Sequence, residues 1–202
     1  MHDREADRRR RLSPLAAGAA LVVLLVPLAG CGDEPTETST PDGSSVTTTT
    51  VAPGGVNALD HPERVPGLIR DHLGENPELR RLSLNANGFS VEVRDPRKRE
   101  NMDDYDFYNG EWSTRPVSVS LSDIATFESV TFRLGDISWD AVPGLIRQAL
   151  DGLDLEGEEV GGVSFDKLQD EPPRVYISVN GLRGTGRLIA RADGTEVDVQ
   201  RN

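Results

Sequence analysis

From residue 60 onward the apolar positions follow two kinds of period, and each kind occurs twice. Val65, Leu68, Ile69 and Leu73 stand at i, i+3, i+4 and i+8, the spacing of one buried helix face. Val142, Leu145, Ile146, Ala149, Leu150 and Leu153 do the same. Pro66 and Pro143 fall near each predicted start, where the backbone amide has no intrahelical partner to lose. Asp60 with Glu63 is placed for a capping box at the first start, and Asp140 for an N-cap at the second. After each helix the period changes to two. Leu82-Ser83-Leu84 and Phe89 to Val93 alternate apolar and polar residues, as do Val163-Ser164-Phe165 and Val175 to Val179. That alternation predicts strands with one buried face.

Each half then ends in a predicted hairpin. Asn109-Gly110 and Asp193-Gly194 are strong two-residue turn signals, because both central positions of the favoured turn need positive φ. Pairing across the first sets Phe107 opposite Trp112 and Tyr105 opposite Thr114, with Asp104 opposite Arg115 on the other face. Pairing across the second sets Leu188 opposite Val199 and Ala190 opposite Val197, with Arg191 opposite Glu196 outside. Both registers leave one apolar and one charge-paired face. Gly181 to Gly186 lacks the lysine and spacing of a phosphate loop and reads as a loop before the last hairpin.

The halves are an internal repeat. Val65-Pro66-Gly67-Leu68-Ile69-Arg70 recurs as Val142-Pro143-Gly144-Leu145-Ile146-Arg147, and Leu73 and Leu150 match at the same offset. The fold class is α+β: two tandem helix-then-antiparallel-strands repeats, 60–120 and 139–202, forming a two-layer domain with both helices on one face of the sheet. The connecting segment 121–138 carries Ile124, Phe127, Val130, Phe132 and Leu134. It is too apolar for a free linker and is expected to cross the fold partly extended.

This tandem pattern resembles the PepSY-like and β-lactamase-inhibitor-protein-like repeats. The run Arg94-Asp95-Pro96, Asn101, Tyr105 and Asn109-Gly110-Glu111-Trp112 is also similar to a group of actinobacterial lipoproteins. The resemblance to the inhibitor proteins implies an inhibitor or modulator of an exported hydrolase, of peptidase or β-lactamase type. A protruding loop such as Pro96 to Met102 would then fill the enzyme's cleft.

The N-terminus changes the picture. Arg8 to Arg11 supply positive charge, Leu15 to Leu28 is apolar, and the small residues Ala29 and Gly30 precede Cys31. The apolar stretch is short for a span of a ~30 Å hydrocarbon core. Leu28-Ala29-Gly30-Cys31 resembles the lipobox of bacterial lipoproteins. The resemblance implies residues 1–30 as a signal peptide, cleavage between Gly30 and Cys31, and a diacylglycerol on the Cys31 sulfur. It also implies residence on the outer face of the cytoplasmic membrane. Residues 31–59 are rich in Thr, Ser and Pro, with little apolar surface to offset ordering entropy, and are expected to form a disordered tether.

Cys31 is the only cysteine, so the globular part must be stable without disulfides. Beyond residue 30 there are 17 basic and 31 acidic residues. Such a surface repels nucleic acid and anionic headgroups, which leaves the acyl chains as the means of membrane attachment.

Motifs for chemistry are few. His61 and His72 without a free thiol give no zinc spacing, and no metal or cofactor is expected. Asp103-Asp104-Tyr105-Asp106 departs from a calcium loop at the fifth, sixth and twelfth places and fits a strand better. Ser164-Phe165-Asp166-Lys167 has an S-x-x-K spacing, but on a strand its Ser and Lys face opposite ways. The aromatic residues Tyr108, Trp112 and Trp139 are candidates for a partner-binding patch, Tyr108 foremost because it faces away from Phe107. The expected activity is therefore a non-enzymatic binding module of the cell envelope, with an envelope protein or peptide as partner. A Cys31→Ser variant should leave the membrane fraction for the medium, and mass spectrometry of the native chain should show acyl mass on Cys31; an unmodified thiol would refute the anchor.

Overall fold

The computed structural model describes residues 56–202, and the expected signal, the expected Cys31 anchor and most of the expected tether lie outside them. The chain forms eight strands: β1 Leu79–Asn85, β2 Gly88–Arg94, β3 Met102–Tyr108, β4 Glu111–Val117, β5 Glu159–Asp166, β6 Arg174–Gly181, β7 Gly184–Arg191 and β8 Asp198–Arg201. All pair antiparallel in one sheet of order β4-β3-β2-β1-β5-β6-β7-β8. Each repeat is thus a helix followed by a four-stranded meander. The first is α1 (Val65–Leu73) with β1 to β4, and the second is α3 (Val142–Leu153) with β5 to β8. The meanders join through their first strands, with Leu82 opposite Phe165 and Ser83 opposite Ser164.

The apolar faces read from the sequence meet in one core. Val65 and Ile69 of α1, and Val142, Leu145, Ala149 and Leu153 of α3, are buried. They pack with Leu82, Leu84, Phe89, Val91, Val163, Phe165, Ile177 and Leu188 of the sheet. Both repeat helices therefore cover the same face. The first predicted hairpin register holds at every named pair: Phe107–Trp112, Tyr105–Thr114 and Asp104–Arg115. Its Asn109 and Gly110 have φ of 54° and 86°, as a two-residue turn matching strand twist requires. Gly88 has φ of 149°, and a Cβ there would collide with the Phe107 carbonyl oxygen, so only glycine lets β2 start that close to β3.

Four local expectations are corrected. The helices carry no side-chain N-caps. A 3₁₀ turn leads into each instead, Pro62–Arg64 before α1 and Trp139–Ala141 before α3. Asp60 is engaged by Asn57 Nδ2 at 2.7 Å and Glu63 lies beside His61, so neither reaches the helix start. At the second hairpin Leu188 pairs with Val199 as expected and Arg191 forms an ion pair with Glu196, but the ladder ends at Ile189–Asp198, short of the expected Ala190–Val197 pair, and Asp193 keeps a negative φ. Its carboxylate accepts from both the amide and hydroxyl of Thr195, and the positive angles fall on Gly194 and Glu196 instead. Gly181 to Gly186 is not a loop: Gly181 pairs with Gly184 around the two-residue turn Leu182-Arg183, and β7 begins there.

The fourth correction is the connection. Instead of running extended it forms α2 (Leu121–Val130), opened by a capping box in which Ser120 and Asp123 satisfy each other's backbone amides. Phe127 is buried outside the main core, with the buried Arg94 guanidinium 5.3 Å above its ring. The register puts Arg94 and Met102 on the face opposite α1 and α3. Thus α2 caps one end of the second face. Phe132 then returns to Leu79 with two backbone hydrogen bonds of 2.8 Å. Among the described residues no helix is long and apolar enough to cross a membrane.

The outer strands are unsuited to further pairing. β8 has four residues, and β4 carries Pro116, which has no amide hydrogen, beside exposed Arg115 and Glu111. Phe127→Ala should cost about 3 kcal/mol, because a buried aromatic is lost and α2 loses its seat. Chemical denaturation measures this; a change below about 1 kcal/mol would show that α2 is not held by Phe127.

Candidate functional site

One face of the sheet is filled by α1 and α3, and α2 covers only an end of the other. The remaining open face presents the alternate residues of every strand. Register aligns these into rows. One row runs Arg115, Asp104, Glu92, Arg81, Asp166, Arg174 and Arg191 across the sheet. The next carries Ser113, Asp106, Ser90, Ser83, Ser164, Tyr176 and Ile189. Further along lie Ser178, Arg187 and Gln200. This surface is mostly polar because period-two alternation sends most apolar partners inward, Ile189 being an exception.

Its charges are largely paired with one another. Arg115 Nε donates to buried Asp104 at 2.9 Å, and this pairing holds the Arg115 guanidinium above its ordinary proton affinity. Arg80 Nη1 lies 3.4 Å from Glu92, and Arg174 donates to Glu171 at 3.2 Å. Asp166 differs. Burial pushes its carboxyl up from the ordinary range, opposed by the nearby Arg81 charge and the neighbouring Tyr176 hydroxyl. The Tyr176 phenol is raised as well, by burial first and then by the Asp166 charge.

Two shallow depressions occupy this face. The larger, about 390 Å³, lies over the middle of the sheet, with Gly161 and Gly162 at its base and Ser83, Ser164, Tyr176 and Ser178 around it. Arg187 stands at its edge. The second, about 250 Å³, is bounded by Arg80, Arg81 and Asp166 on the sheet, Thr126, Phe127 and Val130 on α2, and Lys167 and Leu168 beyond β5. Ser83 and Ser164 directly follow Arg81 and precede Asp166 on this face, so the two depressions adjoin.

At the α2 end, Glu78 gathers three guanidinium groups. Arg94 Nη1, Arg99 Nη2 and Arg133 Nη2 lie 3.3, 3.4 and 3.4 Å from its carboxylate. Arg94 Nε also donates to the Arg99 carbonyl at 2.6 Å. Pro96 to Asn101 therefore folds back on the sheet, with Arg97 and Lys98 exposed at its tip. Met102 is not part of this loop: it begins β3 and is buried.

The three aromatic candidates do not converge. Tyr108 is exposed on the open face, where its hydroxyl accepts from Asn85 Nδ2 at 3.2 Å. Trp112 is half-buried on the helix side, stacked on His72 with ring centroids 4.1 Å apart and edge-on to Phe89. Trp139 is also half-buried there, against Phe165, with its Nε1 donating to the Leu134 carbonyl at 3.2 Å. The two tryptophans close the core, and only Tyr108 shares a surface with the open face. Asp103 and Asp104 of the acidic run point to opposite sides of β3. Lys167 donates to the Thr131 carbonyl at 3.3 Å. Among the described residues no three His, Cys, Asp or Glu side chains converge to hold a metal ion.

The residues that sequence reasoning passed over are Arg81, Ser83, Tyr176 and Arg187. Their signal was present in the alternate positions of the predicted strands, but which of them are neighbours depends on the β1–β5 register.

No protein-family model and no curated protein matches the chain. A similar solved structure is that of a candidate lipoprotein from Clostridium difficile 630. It is 17% identical, with a TM-score of 0.46, and the match covers 67% of this chain and 89% of that one. So distant a likeness leaves the functional reading to the residues described above.

The raised Asp166 carboxyl gives a pH test. The folded state holds its proton more tightly than the unfolded chain, so ionisation opposes folding above the folded-state pKa, and the penalty fades as pH falls into the ordinary carboxylate range. Asp166→Asn should therefore raise stability at neutral pH and match the parent in acid. The gain should stay below ~1 kcal/mol because the group is half open to water. Unfolding midpoints at the two pH values decide it; a loss at neutral pH would assign Asp166 a stabilising charge.

Proposed function

We propose that this chain is a membrane-anchored extracytoplasmic lipoprotein whose globular part is a non-enzymatic binding module, with the open sheet face as its binding surface. The observation that carries the reading is the asymmetry of the sheet. One face is buried under two helices, while the other offers a broad, preformed surface of hydroxyl and charged side chains with shallow depressions. Such a surface suits recognition by many hydrogen bonds, whereas small-molecule chemistry favours enclosed concave sites. Leu28-Ala29-Gly30-Cys31 supports the anchor, through two acyl chains on the Cys31 sulfur. The Thr/Ser/Pro-rich segment after it would hold the module off the bilayer by about 30 Å if it behaves as a flexible chain.

Capture from native envelope tests the reading. Immobilised chain should retain a reproducible envelope component, and Ser164→Trp, which fills the central depression, should abolish retention without lowering the thermal midpoint. Capture by Ser164→Trp equal to that by the parent would remove the open face from consideration.

A further inference from the structure

The described residues carry 17 basic and 27 acidic side chains, yet the acid excess is not spread evenly. On the open face the register places six arginines, at positions 80, 81, 115, 174, 187 and 191, against the seven carboxylates at 92, 104, 106, 111, 159, 166 and 198. This face is therefore close to neutral, while the acid excess lies on the rest of the described residues. Two of its carboxylates are occupied: Asp104 is buried under Arg115, and Glu92 lies against Arg80. Arg81 and Arg187 are exposed and make no salt bridge among the described residues, Arg187 donating only to Gln200 at 3.0 Å.

These two arginines bracket the central depression. Arg81 stands one row before Ser83, Ser164 and Tyr176, and Arg187 one row after, opposite Ser178. Alternate residues along a strand are about 6.6 Å apart, so the two residues are offset by about 13 Å along the strands and, over three strand spacings of about 4.8 Å, by about 14 Å across them, with hydroxyls between. The floor between them is Gly161 and Gly162, which leave backbone and hydroxyl groups accessible beside the Tyr176 ring. Peptide hot spots fill enclosed, desolvated pockets, and this depression is shallow and open. Alternating hydroxyl groups, a phenol and two unpaired guanidinium forks suit a ligand that carries many hydroxyls and regularly spaced carboxylates or phosphates.

We infer that the open face binds an anionic polysaccharide across β1, β5, β6 and β7, with Arg81 and Arg187 pairing its acidic groups and Ser83, Ser164, Tyr176 and Ser178 meeting its hydroxyls. This rests on the binding-module reading and names the class of partner.

The test uses the full chain in detergent with three probes: polygalacturonate oligomers, neutral dextran and polyglutamate. The parent should bind polygalacturonate, with affinity falling steeply as salt rises. Arg81→Gln and Arg187→Gln should each weaken binding about tenfold. The helix-side variants Arg70→Gln and Arg147→Gln should leave it unchanged. Equal binding of dextran would overturn the role of the arginines, and tighter binding of polyglutamate would assign the face to acidic peptides. Equal loss in the helix-side variants would mean charge attraction without a site. If no polysaccharide binds but envelope capture still depends on Ser164, the partner class is wrong and the module stands; if neither occurs, both fall.

Discussion

The pairing of β1 with β5 is the contact on which this architecture depends. Neither meander is closed by itself: each has an outer strand that meets solvent and an inner strand that meets the other repeat. Only four residue pairs, Arg81–Asp166 to Leu84–Val163, join them. Those pairs bring Leu82, Leu84, Val163 and Phe165 together on one side, so that α1 and α3 share a core. On the other side they set Ser83 beside Ser164 and create the central depression. One register produces both the stability of the buried face and the chemistry of the exposed one. A slip by a single residue would exchange the two.

The capped end of the sheet is organised around a different interaction. Arg94 is buried between Phe127 and Glu78, and Glu78 also meets Arg99 and Arg133. These residues come from the position just before β1, from β2, the β2–β3 turn, α2 and the chain after it, which are distant in sequence. A carboxylate shared by three guanidinium groups is costly to desolvate, and breaking it would leave the buried Arg94 charge unpaired. The cluster fixes where α2 lies, and so how much of the open face stays uncovered.

Much of the fold was legible in the sequence because it rests on local rules. Helical spacing identified Val65–Leu73 and Val142–Leu153, and Asn109-Gly110 fixed the β3–β4 register pair by pair. What escaped has identifiable physical causes. In α2 the apolar residues Ile124, Phe127 and Val130 are spaced by three, which drifts around a helix and weakens its signature. The expected caps failed because a 3₁₀ turn occupies each entry. The Asp193 turn failed because its carboxylate found Thr195. The open face was visible only as polar alternates. Its assembly into rows is set by β1 and β5, whose pairing no short turn dictates, so Arg81, Ser164 and Arg187 could not be recognised as one surface. Trp112 and Trp139 looked like recognition residues by type, and packing placed them at the core boundary.

The two ends of the sheet carry a further meaning. Pro116 interrupts the row of amide donors on β4, Arg115 and Glu111 project beside it, and β8 stops after four residues. Strand-by-strand growth from one copy to the next is thereby blocked at both margins. Copies of this chain held at high local density would stay separate, each displaying its own sheet instead of merging into a ribbon.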